Sequence, residues 1–302
     1  MMCGDRSSLL DIVIVNHNST EELLACLSSI ERSGMGRESV VVVDNGSHDN
    51  VDRVYHYFPQ VTLVKNYGNA GFARAANDGM SRGTADFAMI MNPDTMVSPR
   101  FFQTMCDFMT ANPDIAVAGP KVLNEDGTLQ GSARAFPTLP TLLFGRRSLL
   151  TMFFPRLSLS RKSVPAFSSD GATPMDVEWV SGACMLVRRE AVNAVGPFDE
   201  RFFVYWEDVD WCRRMRDAGW RVVYFPQASI VHRVGASSDK RFMWSLLTFH
   251  VSFFRYFDKY SRVPPVITAP LVCTALAMRL VVAAGVTVME KLRVTKRRGV
   301  KR

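Results

Sequence analysis

The sequence lacks the glycine-rich phosphate loop of dinucleotide-binding folds. Such folds carry Gly-x-Gly-x-x-Gly directly after the first strand, so that phosphates lie on a helix N-terminus. This chain has Asn16, His17, Asn18 and Ser19 there. The absence argues against a Rossmann-type dehydrogenase. If a nucleotide binds, something other than a glycine loop must hold its diphosphate, and a metal ion is the natural substitute.

Cysteine pairs and an apolar leader are also missing. The six cysteines contain no Cys-x-x-Cys spacing and lie mostly within apolar runs, so we interpret them as reduced core residues. The chain starts almost directly with an apolar strand pattern, without the long apolar stretch of a signal peptide. We therefore expect the catalytic part to lie in the cytoplasm.

Basic residues are scarce outside one end of the chain. The net charge is +7, and the last twelve residues hold seven Lys and Arg and no acid, which leaves residues 1–290 neutral. A nucleic-acid-binding protein is expected to spread its basic residues over a folded face. Nucleic acid is therefore not an expected partner, and the basic end is interpreted as a tail.

Short apolar runs alternate with helix patterns over the first 120 residues. This alternation predicts a βα repeat, and hence an α/β fold with a mixed, mainly parallel sheet flanked by helices. The 302 residues, 47% of them hydrophobic, suffice for one large domain with an appendage. Strands are predicted at residues 11–15, 40–43, 61–64, 87–91, 115–118 and 221–225, and a helix at residues 207–218.

Two segments depart from this pattern. Residues 135–175 mix Pro, Ser and Arg with Leu and Phe, and we interpret them as an insertion or lid within a catalytic domain of residues 1–237. Residues 238–302 form a C-terminal helical, apolar-basic segment. Its apolar stretch 266–289 contains Pro270 and Arg279, which argues against a clean membrane span. An interfacial or re-entrant helix on the membrane surface is predicted, and a helix packed on the core is the alternative.

Polar residues follow the predicted strands at their carboxyl ends, where parallel sheets bind ligands. Asn16, Asp44 and Asn66 follow the first three strands, and Asn92 and Asp94 follow the fourth. Asp44 is predicted either to accept hydrogen bonds from a ribose or base, or to begin an Asx-turn. Asp94 is a candidate metal ligand, and a local turn is its alternative.

A cluster of acids among aromatic residues begins the predicted helix at residue 207. The helix dipole favours the ionised form of Glu207 and Asp208, whereas the surrounding aromatic rings oppose it. We assign Asp208 as a general base. The alternative is that the acids only cap the helix and pair with Arg213 and Arg214. We expect this structural role for Asp210.

His232 follows the acidic cluster by one strand. A lone histidine is usually a core or surface residue. Here, however, the strand before His232 returns the chain to the sheet edge of the acidic cluster, where an imidazole could complete a metal shell. Hard oxygen ligands and a diphosphate predict Mg²⁺ or Mn²⁺ as the cofactor.

Together these motifs resemble glycosyltransferase family 2, of the GT-A fold group, over about residues 10–237, and within it the rhamnosyltransferase-type enzymes of bacterial surface-polysaccharide assembly. The resemblance rests on several segments in order. They are Asp44-Asn45-Gly46-Ser47, Asn69-Ala70-Gly71-Phe72-Ala73 with Asn77, Asn92-Pro93-Asp94, Trp179-Val180-Ser181-Gly182-Ala183, Glu207-Asp208 and His232-Arg233-Val234-Gly235-Ala236-Ser237.

The resemblance implies an inverting transfer of a sugar from a nucleotide-diphosphate donor, with dTDP-rhamnose the leading candidate. The apolar-basic end and the insertion predict that the acceptor is a lipid-linked saccharide at the inner face of the bacterial membrane. The resemblance also implies that Asp208 is the base and that Asp94 and His232 bind the metal. The usual Asp-x-Asp motif is replaced by Asn92-Pro93-Asp94, which leaves one carboxylate. The implied donor-binding residues are Asn16, Asp44, Asn66, Gly71, Asn77, Asn92 and Asp94, and those for the sugar or acceptor are Trp179, Ser181, Gly182 and Glu207.

Two other classes of protein remain as alternatives. A nucleotidyltransferase would be expected to have a phosphate loop rich in Gly and Lys near the N-terminus, and none is present. A non-catalytic protein that binds nucleotide sugars would not need Asp94, Asp208 and His232 together.

Overall fold

A computed structural model describes residues 9–34, 40–137, 164–233 and 242–260, with isolated positions between 264 and 277. The chain divides into two compact units, Met1–Lys240 and Arg241–Arg302. The strands of the first unit are β1 (Leu10–Asn16), β2 (Val40–Asp44), β3 (Thr62–Lys65), β4 (Phe87–Met91), β5 (Thr95–Val97), β6 (Ile115–Leu123), β7 (Ala133–Arg134), β8 (Met175–Asp176), β9 (Trp179–Val180), β10 (Cys184–Arg188) and β11 (Arg221–His232). Its helices are α1 (Thr20–Arg32), α2 (Arg53–Tyr57), α3 (Phe72–Met80), α4 (Phe101–Ala111), α5 (Arg189–Val195) and α6 (Glu207–Asp217).

The main sheet has the strand order β3-β2-β1-β4-β10-β6-β11-β5, and β8 pairs with another part of β11. Strands β1, β2, β3, β4, β6 and β11 run parallel, whereas β5, β8 and β10 run antiparallel to them. Strands β7 and β9 form a separate antiparallel pair. The predicted α/β fold with a mixed, mainly parallel sheet is therefore confirmed.

Helices cover both faces of this sheet, and alternate residues of a strand therefore enter different cores. In β1, Ile12 and Ile14 belong to a core beneath α1 and α4. Val13 and Val15 belong to the core on the other face, with apolar residues of α3, α5 and α6. The near-continuous apolar sequence of the central strands follows from this double burial.

Two local predictions differ from the structure. His232 belongs to β11 itself, a single strand with a register shift between Phe225 and Ser229, instead of following a separate strand. At the start of α1, the Ser19 hydroxyl donates to the His17 carbonyl, and the Thr20 N–H donates to the Asp49 carboxylate at 2.8 Å. Ser19 with Glu22 three residues later predicts a capping box for this helix, but the Ser19 side chain makes no cap hydrogen bond. Asp49 of a neighbouring loop supplies the cap instead.

The second unit contains helix α7 (Phe242–Tyr260). Within the described ranges, no helix combines the length and the apolar character needed to cross a bilayer. The predicted membrane segment, residues 266–289, lies mostly outside those ranges, and so do residues 138–163 of the predicted insertion. Both stay predictions, although residues 165–168 of the insertion form a short 3₁₀ helix.

Candidate functional site

The carboxyl ends of β1, β2, β3 and β4 meet at one edge of the sheet. Asn16 lies opposite Asp44, and Asp44 lies opposite Lys65. Because β10 is antiparallel, its first residue, Cys184, lies opposite Met91 at the end of β4. The segment before Cys184 therefore joins the polar loops that follow the parallel strands.

Asn16 and Asp44 are in direct contact at this edge. The Asn16 Nδ2 group donates to Asp44 Oδ1 at 2.9 Å, and both side chains are buried. The Ser47 N–H donates to the other Asp44 oxygen at 3.2 Å, so Asp44 begins a local turn through the N–H three residues on, one residue further than in the predicted Asx-turn. A carboxylate has about four lone-pair sites, so this turn leaves Asp44 able to accept a further hydrogen bond.

Asn45 organises the loop after β3, a role that no local pattern in the sequence indicates. Its Oδ1 accepts from the Ala70 N–H at 3.0 Å and from Asn66 Nδ2 at 3.3 Å. Its Nδ2 donates to Asn69 Oδ1 and to the Gly71 carbonyl. The position of Asn45 at a strand end, with a nearly fully buried amide, fixes residues 66–71 against the loop after β2.

Gly71 and Asn77 hold the segment that leads into α6. Gly71 has a φ of 90°, and a Cβ there would lie 2.5 Å from the Phe203 carbonyl oxygen, which accepts from the Phe72 N–H at 2.6 Å. The Asn77 amide exchanges two 3.0 Å hydrogen bonds with the backbone N–H and C=O of Phe198. The structure thus places Asn77, an implied donor-binding residue, against this segment.

The held segment, residues 198–206, ends in an unusual backbone conformation. Tyr205 and Trp206 have φ values of 66° and 74°, and such conformations cost non-glycine residues about 1–3 kcal/mol each. Helix α6 begins at the next residue, Glu207. The contacts of Gly71 and Asn77 with this segment therefore help to fix the direction in which the acidic residues of α6 are presented.

Asp208 is partly buried and accepts two backbone hydrogen bonds. Its Oδ2 accepts from the Gly182 N–H at 3.0 Å and its Oδ1 from the Val209 N–H at 2.8 Å. Burial raises the pKa of Asp208, while these two N–H groups oppose the rise. Asp208 can therefore be ionised and still be a better proton acceptor than an exposed aspartate.

Glu207 is 6% exposed, and its Oε2 has no hydrogen-bond partner in the described part of the chain. Desolvation, followed by the charge of Asp208, raises the pKa of Glu207 well above its ordinary value. Burial thus raises the pKa of both acids, further for Glu207 than for Asp208, so Glu207 holds its proton more strongly. Asp210 pairs with Arg214 at 2.9 Å, which confirms its predicted structural role.

A short path of hydrogen bonds connects Asp208 to the end of β4. Gly182, which donates to the Asp208 carboxylate, precedes Ala183, whose carbonyl accepts from the Asn92 N–H at 3.0 Å. Asp94 follows two residues later. Asp208 and Asp94 thus belong to the same edge of the sheet.

Asp94 and His232 are also brought together there. Asp94 Oδ1 lies 3.2 Å from His232 Nε2, and each side chain is 14% exposed. This Asp94 oxygen is buried, and no described group is aligned to donate a hydrogen bond to it. Pairing of β5 with β11 places Thr95 opposite His232 and so sets this approach.

The donor set of this pair fits a divalent cation. His232 Nδ1 lies 3.1 Å from Gln130 Oε1, and Asn92 Nδ2 lies 3.4 Å from His232 Nε2. A carboxylate oxygen without a donor beside an imidazole nitrogen suits Mg²⁺ or Mn²⁺. No third acid, histidine or cysteine converges here among the described residues, so further ligands would have to come from bound substrate or water.

Trp179 and Ser181 lie beside β7. Trp179 Nε1 donates to the Ala135 carbonyl at 2.9 Å, and the Arg134 guanidinium lies 5.6 Å from the centre of its ring. The Ser181 N–H donates to the Ser132 carbonyl at 2.8 Å. These contacts fix the segment that presents Gly182 to Asp208.

A protein-family model supports this arrangement. The model described as Glycosyltransferase like family 2 matches residues 8–245. The match includes every strand and helix of the first unit. It also spans Asp44, Asp94, Asp208 and His232.

Two relatives have similar sequences. An N-acetylglucosaminyl-diphospho-decaprenol L-rhamnosyltransferase of Mycobacterium tuberculosis is 32% identical over 248 residues, which cover 78% of this chain and 79% of the relative. The rhamnosyltransferase WbbL of Escherichia coli K12 is 30% identical over 257 residues, which cover 81% and 91%.

A solved structure shares the fold. The mannosyltransferase PcManGT from Pyrobaculum calidifontis, in complex with GDP-Man and Mn²⁺, aligns with a TM-score of 0.56 at 18% identity, over 91% of this chain and 75% of that one. At this identity, the likeness concerns the fold alone.

Proposed function

Because the chain belongs to glycosyltransferase family 2, we propose that it moves one sugar from a nucleotide-diphosphate donor to a hydroxyl of a lipid-linked saccharide in cell-surface polysaccharide synthesis. The leading candidate donor is dTDP-rhamnose. The names of both relatives support rhamnose, and the name of the mycobacterial one supports a diphospho-polyprenol acceptor. The observation that carries the proposal is the approach of Asp94 to His232 at the sheet edge that also holds Asp208.

The donor nucleotide would bind over the loops that follow β1, β2 and β3. Asp44 keeps lone pairs beyond those used by Asn16 and Ser47, and it would accept a hydrogen bond from the base or ribose. Asn16 Oδ1 is buried without a partner within the described ranges. The Asn45 contacts would keep this surface in place before the donor arrives.

Asp94 and His232 would hold a divalent cation against the donor diphosphate. When bound, such an ion supplies positive charge that stabilises the departing nucleotide diphosphate. Asp94 offers its buried oxygen, and His232 offers Nε2. The Mn²⁺ in the PcManGT complex supports this assignment at the level of the fold.

Asp208 would remove the proton from the acceptor hydroxyl. The acceptor oxygen would form a bond to the anomeric carbon while the bond from that carbon to the diphosphate breaks, and the proton would pass to the Asp208 carboxylate. This single displacement inverts the anomeric configuration. The raised pKa of Glu207, beside Asp208, would favour its neutral form, which adds no second negative charge next to the base. Trp179 and Ser181 would border the sugar or the acceptor.

The test is a panel of nucleotide sugars, with and without a diphospho-polyprenol saccharide acceptor, assayed for release of the nucleotide diphosphate. Release that requires both dTDP-rhamnose and the acceptor is expected, and EDTA should abolish it. Proton NMR of the product gives the anomeric configuration. Retention of configuration, or release that does not require the acceptor, would contradict the mechanism.

Asp208→Asn is the matched variant for the base. Loss of a general base reduces rates by about 10²–10⁴-fold, and donor affinity should change little because Asp208 would contact the acceptor and not the donor nucleotide. Transfer by the variant at the wild-type rate would show that Asp208 is not the general base.

We also propose that the protein acts at the inner face of the cell membrane, held by the basic residues at its end. The expected result is that the full chain co-sediments with vesicles containing anionic lipid. A variant with the seven basic residues of its last twelve changed to Gln should stay in the supernatant. Equal sedimentation of both proteins would exclude the basic residues as the anchor.

A further inference from the structure

Gln130, between β6 and β7, is 6% exposed and has a fixed amide orientation. Its Nε2 lies 2.8 Å from the His232 carbonyl oxygen and 2.8 Å from Asn124 Oδ1. The Asn124 amide is oriented in turn, because its Nδ2 donates to Thr128 Oγ1 at 2.8 Å. Since carbonyl oxygens only accept, the nitrogen of Gln130 must lie on this side, and its Oε1 must face His232 Nδ1.

This orientation determines which nitrogen of His232 carries the proton. Gln130 Oε1, 3.1 Å from His232 Nδ1, can only accept, so Nδ1 is the donor. In the neutral ring, Nε2 then has a free lone pair. Asn92 Nδ2, a donor 3.4 Å from Nε2, agrees with that assignment.

The other tautomer would make a different contact. With its proton on Nε2, His232 would place an N–H 3.2 Å from Asp94 Oδ1 without the alignment of a hydrogen bond. That proton would occupy the space between the two candidate metal ligands. It would also leave Nδ1 and Gln130 Oε1 as two acceptors facing each other in a buried place, which is unfavourable.

We propose that Gln130 is a positioning residue that holds His232 in the Nδ1-protonated tautomer and so keeps Nε2 and Asp94 Oδ1 open to a divalent cation. The proposal rests on the proposed function only in its consequence for metal binding, since the tautomer is a property of the metal-free protein. Partners of this kind change metal affinity by about 10–100-fold in other proteins.

The first measurement is the tautomer of His232 in the metal-free full chain. Long-range ¹H–¹⁵N correlation spectra distinguish the two tautomers and would be recorded at about pH 8.5, two units above the ordinary imidazole pKa of about 6.5. The His232 signals are assigned by their absence in His232→Gln. The proposal expects protonation on Nδ1, and a proton on Nε2 in the wild-type protein would overturn it without any Gln130 variant.

The second measurement compares Gln130→Met with Gln103→Met, a control on α4 that makes the same change outside the candidate site. Gln130→Met should move the proton to Nε2 and weaken Mn²⁺ binding, followed by electron paramagnetic resonance, about 10–100-fold. Gln103→Met should change neither. An unchanged tautomer in Gln130→Met would overturn the proposal.

The two measurements also separate this inference from the proposed function. If the wild-type chain binds no Mn²⁺, the metal assignment of the proposed function fails, and the tautomers of wild type and Gln130→Met still decide the role of Gln130. If the wild type binds Mn²⁺ and Gln130→Met binds it equally well, the metal site stands and the inference fails.

Discussion

Gly71→Ala is expected to destabilise the fold and the site together. Gly71 has a φ of 90° and a ψ of 160°, a region in which other residues are strained by about 1–3 kcal/mol. The added Cβ would also lie 2.5 Å from the Phe203 carbonyl oxygen and 2.9 Å from its ring. Relief of that contact requires Phe203 to move, which breaks its hydrogen bond with Phe72, worth about 1 kcal/mol. We expect a total loss of about 2–4 kcal/mol.

The assay is equilibrium urea unfolding, with Gly196→Ala as the matched control. Gly196 has nearly the same backbone conformation, with a φ of 86° and a ψ of 169°, but its added Cβ would make only an ordinary contact, 3.9 Å from the Arg214 guanidinium. The control therefore reports the backbone strain alone, and the difference between the two variants reports the contact with Phe203. Gly71→Ala should lose at least about 1 kcal/mol more. An equal loss in both variants would refute the argument that Gly71 is required by the approach of Phe203.

Three further predictions concern the same site. Because the pKa of Glu207 is raised in the fold, its contribution to stability is full below about pH 4.5 and is lost as the pH rises through the folded pKa. Between about pH 4.5 and the folded pKa, Glu207→Gln should therefore become more stable than wild type, by up to about 1.4 kcal/mol per pH unit in urea unfolding. A difference in the free energy of unfolding that stays constant with pH would contradict the burial argument. Asn77→Leu leaves the Phe198 N–H and C=O without partners and should lose about 2–5 kcal/mol by the same assay, whereas a loss below 1 kcal/mol would show that water replaces them. Mn²⁺ at about 100 times its Kd should stabilise the wild type by about 2.7 kcal/mol, and EDTA should reverse this stabilisation. If Mn²⁺ stabilises His232→Ala equally, His232 is not a metal ligand.

Local sequence determined the strands and the polar residues at their ends. Apolar runs such as that of β4 indicate a strand buried on both faces, and chain connectivity then places Asn16, Asp44 and Asp94 at a common edge. The prediction works because parallel strands share one direction, so every strand end that carries a polar residue contributes to the same surface.

The sequence alone did not predict the residues that hold these side chains in place. Asn45, Asn77 and Gln130 each bind backbone groups that are distant in sequence, two of them in loops and one at the end of β11. Such contacts depend on the path of a loop and on strand register, which no local pattern encodes. For the same reason the cap of α1 comes from Asp49 in another loop, although a nearby capping box was predicted.

The sequence by itself therefore determined the fold class, the family resemblance and the chemical types of the candidate site residues, because periodicity and motif order are properties of the chain. Tertiary structure decided which nitrogen of His232 faces the Gln130 oxygen and which acid of α6 has the more strongly raised pKa. Proton positions depend on burial and on hydrogen-bond partners a few ångströms away, and folding alone brings these together.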